Sequence, residues 1–227
     1  MSLGALTLTN INLPMGMGMA GGQTSGGQTS GAATKEDGNT ILKQIATNTA
    51  TTVAILSTAV LGTPGQQRDK GIELWRCDHL LSDNPSFVGV KHLNRLDQVL
   101  GASEANVQGY VDGLMFNSKG FLVESTCANI FLRTEEHGWL TPSIETAGIN
   151  GVMRSLLIHE IFPQVHFSLA TFPIESEMLC DVTELFICNS ARGIVPVTAV
   201  RGKKGDGTMR IGNETRALQS KLSELYK

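Results

Sequence analysis

All twelve aromatic residues of this chain lie after Gln66, and this change of composition constrains the fold more than any other feature of the sequence. A globular core draws most of its buried area from aromatic and branched side chains. The first 66 residues hold 11 Gly, 12 Thr and four charged side chains, so they cannot build much of a core alone. We therefore expect a Gly/Thr-rich, mostly irregular head, followed by a globular domain over residues 67–227.

The head itself divides into two segments. Residues 1–39 contain two copies of GGQTS within 21–31, which predict a flexible leader because too little apolar surface offsets the entropy of ordering. Residues 40–66 predict a linker and one amphipathic helix near Thr40–Leu61, since apolar side chains recur there at helical spacing. Its uncharged stretch at 50–62 is shorter than the roughly twenty residues that cross a bilayer. This favours docking on a partner or on residues 67–227 over a membrane span.

Charge and cysteine content exclude several classes of protein. A net charge of −3 and the lack of any basic run argue against a nucleic-acid partner. The four cysteines form no CxxC pair and accompany no signal peptide, so neither a disulfide scaffold nor a metal site is expected. We expect a cytoplasmic protein with reduced thiols and no membrane partner.

The globular part is predicted to alternate short strands and helices. Residues 88–90 read as the end of a strand, and Leu93, Leu96 and Leu100 would lie on one face of the helix that follows. Lys91 lies at this junction beside apolar residues. Desolvation there would leave its amine neutral and free for carbonyl chemistry.

Three further features could form a site with this lysine. The run GLMFNSKGFLVEST at 113–126 predicts a hairpin whose alternation places Glu124 inward, where a carboxylate needs a cationic or hydrogen-bonding partner. Gly148 and Gly151 flank a turn that leads into a helix, and the free N–H groups of such a turn attract anions. A polar turn at 189–191 offers further donors. An amine, an inward carboxylate and two phosphate-binding turns match the parts of a pyridoxal-phosphate site.

Four ordered motifs carry a resemblance to a known family. They are VKHLNRLDQVL (90–100), VESTCANIF (123–131), TAGINGVMR (146–154) and ICNSARGIVPV (187–197). From about Arg68 onward the chain resembles the aminodeoxychorismate lyases, fold-type IV pyridoxal-phosphate enzymes related to branched-chain and D-amino-acid aminotransferases. The resemblance implies an α+β domain with a mixed, barrel-like sheet, and a homodimer.

The resemblance assigns the chemistry to two residues. Lys91 would hold pyridoxal 5'-phosphate covalently through its amine and then act as general acid and base. Glu124 would pair with the pyridine nitrogen and keep it protonated. His92 and Arg95 are expected to be structural, while Arg192 is expected to be solvated, or else to meet a substrate carboxylate.

The resemblance also implies how the phosphate is held and what is made. Backbone N–H groups of Ile149 and Asn150 would bind the phosphate on one side, and Ser190 and Ala191 would close it from the other. The small-molecule substrate would be 4-amino-4-deoxychorismate, which loses pyruvate to give 4-aminobenzoate for folate synthesis. Aromatisation of the ring drives this reaction.

Three interpretations stay open at this point. The family has a smaller N-terminal domain that supplies an arginine to the phosphate, and nothing in residues 1–66 resembles it. The chain is therefore an active lyase, a catalytically impaired lyase fragment fused to an unrelated structural or interaction segment, or an aminotransferase of the same fold. Without that first domain, residues 67–227 are expected to expose apolar surface that the head helix or a second chain covers.

Overall fold

The computed structural model describes residues 64–226, and the predicted leader and the helix near Thr40–Leu61 lie outside them. The strands in chain order are β1 Ile72–Leu81, β2 Gly113–Asn117, β3 Phe121–Ser125, β4 Asn129–Thr134, β5 Gly138–Pro142, β6 Leu169–Phe172, β7 Ile174–Glu175, β8 Val182–Asn189, β9 Gly193–Arg201 and β10 Gly207–Thr208. β2 and β3 form the hairpin that the alternation at 113–126 predicts.

Helices take up less of the described chain than strands do. They are α1 Pro64–Lys70, α2 Leu96–Val107, α3 Val152–Leu156, α4 Phe162–Val165 and α5 Asn213–Glu224. A π turn at Leu157–Ile161 joins α3 to α4, a single 3-10 turn occupies Pro85–Phe87, and a six-residue 3-10 helix occupies Ser176–Asp181. α1 begins inside the segment that was expected to be a linker, at Pro64, and proline is well suited to the first position of a helix.

The strands form one mixed sheet that curls on itself. Its order is β6-β5-β4-β8-β9-β1-β2-β3-β7, with β10 paired to β9. β1 pairs in parallel with both β2 and β9, whereas the central β4, β8 and β9 are antiparallel. Four strands separate β3 from β4 in this order, yet the two are in contact. The described residues therefore confirm an α+β fold with a mixed, barrel-like sheet.

The two faces of the strands bury different side chains. Along β4, Ile130 and Leu132 point into the interior of the curled sheet, where they pack with aliphatic residues of β1, β8 and β9. Phe131 points the other way and stacks on Phe162 and Phe186, beneath α3, α4 and α5. This is the period-2 alternation of a strand covered on both faces.

Helix α2 packs on the sheet through small residues, which corrects the predicted leucine face. Its buried residues are Gly101 and Ala105, and a Cβ placed at Gly101 would lie 2.3 Å from Met115 Sδ. This close approach leaves Leu96 and Leu100 on the outer side, and Leu93 precedes the helix fully exposed. The expected exposure of apolar surface is therefore present on α2.

A buried carboxylate ties together the strand ends next to this helix. Asp112 is 1% exposed, and its oxygens accept hydrogen bonds from Thr126 Oγ1 at 2.6 Å, from Ser125 Oγ at 3.1 Å and from Cys127 Sγ at 3.0 Å. Arg192 donates to the same carboxylate at 3.3 Å, from a side chain that is only 15% exposed. Because Asp112 and Arg192 are both buried, removing either one would leave the other as an uncompensated buried charge.

We expect Asp112→Ala to lower the free energy of unfolding by about 3–5 kcal/mol, because it leaves Arg192 buried without its counter-charge. Urea unfolding followed by circular dichroism measures this. Asp206→Ala is the matched control, since Asp206 pairs with Arg201 on the surface and such pairs contribute about 0–1 kcal/mol. Equal losses in the two variants would contradict the assignment.

Candidate active site

All six predicted site residues line one cleft. The cleft has a volume of about 620 Å³ and is bordered by the loop before α2, by the ends of β3 and β8, and by the loop before α3. Its walls include Lys91, Glu124, Ile149, Asn150, Ser190 and Ala191. Sites for small ligands commonly occupy about 300–1,000 Å³, so this cleft is large enough for a cofactor with part of a substrate.

Lys91 stands in the wall of the cleft on an irregular loop, which corrects two expectations. Residues 88–90 form no strand; Gly89 makes an isolated parallel bridge to Ile149 instead. Lys91 is exposed rather than desolvated. Among residues 64–226, no hydrogen bond or ion pair engages its amine, so the amine is available to react.

Backbone contacts fix the loop of Lys91 against the turn at 148–151. Gly89 N–H donates to the Gly148 carbonyl at 3.0 Å, and Asn150 N–H donates to the Gly89 carbonyl at 3.1 Å. Gly89 has a φ of +73°, in the left-handed region that favours glycine. The loop that carries the amine and the predicted phosphate turn are thus joined to each other.

Glu124 points inward, as predicted, and the structure shows its partners. The residue is 2% exposed. Its Oε1 accepts from Arg95 at 3.1 Å and from Gln98 Nε2 at 3.3 Å, while Oε2 accepts from Ile149 N–H at 2.9 Å. A buried carboxylate with a cation and two further donors is held in one orientation.

Arg95 and Gln98 contact Glu124 in the cleft wall, and neither contact was predicted from the sequence. Arg95 was expected to have a structural role, and it forms the ion pair of the inward carboxylate. The rule that a buried carboxylate needs a cation could have directed the search to the arginine of the same motif, four residues after Lys91. Gln98 follows one helical turn later on α2.

The turn at 148–151 is present, but its N–H groups are used within the protein. Ile149 N–H binds Glu124 and Asn150 N–H binds the Gly89 carbonyl, so neither points freely outward as expected. Asn129 Nδ2 holds the Ile149 carbonyl at 2.8 Å. Binding of a phosphate by these two amides stays a prediction.

The second turn presents the hydroxyl of Ser190, while the N–H groups of Ala191 and Arg192 are used within the turn. Asn189 Oδ1 accepts from the N–H groups of Ala191 at 3.1 Å and Arg192 at 2.9 Å. Ser190 is exposed, and its hydroxyl has no hydrogen-bond partner among residues 64–226. Arg192 is not solvated as expected, because it is committed to Asp112.

The cleft also contains a thiol that burial keeps protonated. Cys127 Sγ lies 3.0 Å from Asp112 Oδ2 and accepts from Arg192 at 2.8 Å. Burial, reinforced by the Asp112 carboxylate, raises the pKa of Cys127 to about 12. A thiol with such a pKa is almost entirely protonated at pH 8.

We therefore expect iodoacetamide at pH 8 to label Cys127 much more slowly than Cys180, although both residues are exposed, because the thiol of Cys127 itself is desolvated against Asp112. Because the thiolate fraction of Cys127 grows about tenfold for each pH unit below its pKa, its labelling rate should still climb between pH 8 and 10. Peptide mass spectrometry after timed labelling measures both rates. Labelling of Cys127 as fast as Cys180 at pH 8 would contradict the raised pKa.

The described part of the chain contains neither a helix suited to cross a bilayer nor a cluster of metal ligands. No helix within residues 64–226 has the length and hydropathy needed to cross a bilayer. Over the same residues, no group of three or more His, Cys, Asp and Glu side chains is placed to hold a metal ion.

Comparison with known proteins shows which families this chain is similar to in sequence. A family model described as amino-transferase class IV matches residues 31–200, so the match extends into the segment that composition sets apart at Gln66. An aminodeoxychorismate lyase of Vibrio harveyi is 30% identical over 156 residues, which is 69% of this chain and 57% of that protein. A branched-chain-amino-acid aminotransferase of Escherichia coli is 26% identical over 134 residues, or 59% of this chain and 42% of that one.

Solved structures agree with the sequence comparisons. A 4-amino-4-deoxychorismate lyase from Pseudomonas aeruginosa has a TM-score of 0.65 and 32% identity, covering 73% of this chain and 59% of that one. An aminotransferase from Brucella abortus, solved with the cofactor PLP, shares the fold at a TM-score of 0.60 and 18% identity, covering 69% and 54%. The chain thus spans less than three fifths of the length of each of these proteins.

Proposed function

Because this chain belongs to the class IV amino-transferase family, whose cofactor is pyridoxal 5'-phosphate, we propose that its cleft binds this cofactor and releases pyruvate from 4-amino-4-deoxychorismate. The observation that carries the proposal is the meeting of Lys91, Glu124 and the two polar turns in one cleft of about 620 Å³. These residues come from four separate stretches of sequence, and only the fold brings them together.

The donor set of the cleft fits the cofactor. Lys91 supplies an amine that no described residue engages, which covalent attachment requires. Of the two oxygens of Glu124, Oε1 already accepts two hydrogen bonds, whereas Oε2 accepts one and has a lone pair left. That lone pair suits the protonated nitrogen of a pyridine ring. The hydroxyl of Ser190 offers a donor for the phosphate.

The residues of this chain then divide the work of the reaction. When bound, the cofactor supplies an electron sink for the carbon that loses its proton. Lys91 Nζ takes the proton from the amine-bearing ring carbon and returns one to the leaving enolpyruvyl group, which departs as pyruvate. Glu124 holds the proton of the cofactor's ring nitrogen. The second product is 4-aminobenzoate, so no oxidant or reductant is consumed.

Similarity favours lyase over aminotransferase chemistry. The match to the Vibrio harveyi lyase is longer and more identical than the match to the Escherichia coli aminotransferase, and the Pseudomonas aeruginosa lyase is 32% identical in a superposition over 73% of this chain. The aminotransferase match still covers 59% of the chain, which makes transamination the second candidate.

Borohydride trapping tests the cofactor part of the proposal. The full chain is incubated with pyridoxal 5'-phosphate, reduced with borohydride, digested and mapped by mass spectrometry. We expect one modified peptide, carrying the cofactor on Lys91 and not on the exposed Lys119 of the β2–β3 turn. Modification spread over several exposed lysines would overturn the proposed site.

Two product assays on the loaded chain separate the candidates. Release of pyruvate from 4-amino-4-deoxychorismate, without any 2-oxo acid acceptor, supports the lyase. Formation of glutamate from 2-oxoglutarate and a branched-chain amino acid, without pyruvate release, would replace the lyase by the aminotransferase. A chain that attaches the cofactor yet does neither would overturn the catalytic part of the proposal.

A further inference from the structure

Arg154 is a buried cation, and no residue in the described part of the chain places a buried anion beside it. The residue is 5% exposed and lies in α3, directly behind the turn at 148–151. Its guanidinium donates to the Pro142 carbonyl at 3.0 Å and to Asn150 Oδ1 at 3.4 Å. Within residues 64–226, no carboxylate lies within ion-pair distance of it.

Stability of the fold does not account for this arrangement. Burying a charge costs free energy unless an opposite charge compensates it, and an apolar side chain of similar length would fill the same space at lower cost. Burial lowers the pKa of Arg154 from its ordinary value, which is the direction expected when the charged form is penalised. An anion next to Arg154 would compensate this buried charge, and the described residues do not supply one at that place.

The position of Arg154 indicates where that anion binds. Asn150, which receives the guanidinium hydrogen bond, lies in the wall of the cleft together with Gly151. Ser155 Oγ donates to the same Asn150 oxygen at 3.2 Å, so two side chains of α3 hold one residue of the turn. The guanidinium of Arg154 therefore reaches the cleft wall through Asn150, whose Oδ1 it contacts at 3.4 Å.

The cleft itself holds no other cation for a phosphate. Lys91 and Arg95 are the only basic residues that line it in the described part of the chain. Arg95 is committed to Glu124, and Lys91 is the proposed attachment point. A phosphate monoester carries a charge of about −1.5 to −2 at pH 7, which demands compensation in a partly buried site.

We infer that Arg154 is the positioning residue of the phosphate subsite: it orients Asn150 and places its positive charge behind the turn that receives the phosphate of the ligand. This inference rests on the proposed function and extends it to the residue that supplies positive charge beside the phosphate. It concerns recognition of the phosphate group alone and not the reactive end of the ligand.

A pair of ligands that differ only in the phosphate tests the inference. Pyridoxal 5'-phosphate and pyridoxal are titrated into the full chain, and the dissociation constants are read from absorbance for wild type and for Arg154→Met, Arg154→Lys and Ser155→Ala. We expect Arg154→Met to weaken the phosphorylated ligand about tenfold and pyridoxal less than about twofold. Arg154→Lys should retain most of the affinity because it keeps the charge.

Ser155→Ala is the matched control, since it removes a neutral hydrogen bond to the same Asn150 oxygen and leaves the charge. It should weaken the phosphorylated ligand by less than about threefold. Equal weakening of both ligands in Arg154→Met, or an equal loss in Arg154→Lys, would reduce Arg154 to a packing residue. A wild-type chain that binds both ligands equally would overturn the inference and leave cofactor binding intact, whereas one that binds neither would overturn both.

Discussion

Lys91→Ala is expected to abolish attachment of the cofactor and to lower turnover by at least about 10³-fold, because no second lysine among the described residues lines the cleft. The fold should be unaffected. Lys91 is exposed and makes no contact that the described residues depend on, so the free energy of unfolding should change by less than about 0.5 kcal/mol. Absorbance of the purified variant with added pyridoxal 5'-phosphate measures cofactor attachment. A pyruvate-release assay measures turnover, and urea unfolding measures the free energy of unfolding.

Lys119→Ala is the control for this experiment, since Lys119 is equally exposed but lies on the β2–β3 turn and outside the cleft. It should leave the absorbance and turnover unchanged. Retention of the lysine-linked absorbance in Lys91→Ala would show that another lysine carries the cofactor. An unfolded Lys91→Ala would contradict the structural description of the loop.

Glu124→Gln is expected to lower turnover by about 10²–10³-fold while leaving the cofactor attached to Lys91. The amide keeps the shape of the side chain but loses the negative charge, so it cannot hold the proton of the ring nitrogen. It also leaves Arg95 without its ion pair. Turnover at saturating substrate measures the loss of activity, and borohydride mapping checks that the cofactor is still attached to Lys91.

The neighbouring Glu175→Gln provides the comparison. Glu175 lies on β7 opposite Phe121 of the same β3 strand, but it is exposed and outside the cleft. Turnover should not change in this variant. If Glu124→Gln keeps more than about a tenth of wild-type turnover, the carboxylate is only a partner of Arg95 and the role in catalysis is wrong.

Local patterns were sufficient for the parts of the fold that depend on neighbouring residues. The alternation at 113–126 predicted both the hairpin and the inward direction of Glu124, because successive side chains of a strand point to opposite faces. The glycines at 148 and 151 likewise indicated the turn before α3, where Gly148 has a φ of +98°. In both cases the geometry is set within a few residues.

Contacts between stretches that are distant in the sequence could not be predicted from local patterns. The leucine spacing at 93–100 predicted one apolar helix face that includes Leu93, but Leu93 precedes α2, and the helix approaches the sheet through Gly101, whose lack of a side chain gives no hydrophobic signal. The pairing of Arg95 with Glu124 joins residues 29 positions apart, and that of Asp112 with Arg192 joins residues 80 apart. Such pairs depend on the order of strands in the sheet, which composition and periodicity do not encode.

The bridge between Gly89 and the turn at 148–151 bears on how this cleft can diversify. Both hydrogen bonds run between main-chain atoms, so neither depends on which side chains the loop carries. The amine of Lys91 would keep its place while the surrounding wall changes its size and polarity. Selection can therefore alter what enters the cleft at little cost to the chemistry performed there, and Gly89 is the position of the loop where substitution should be least tolerated.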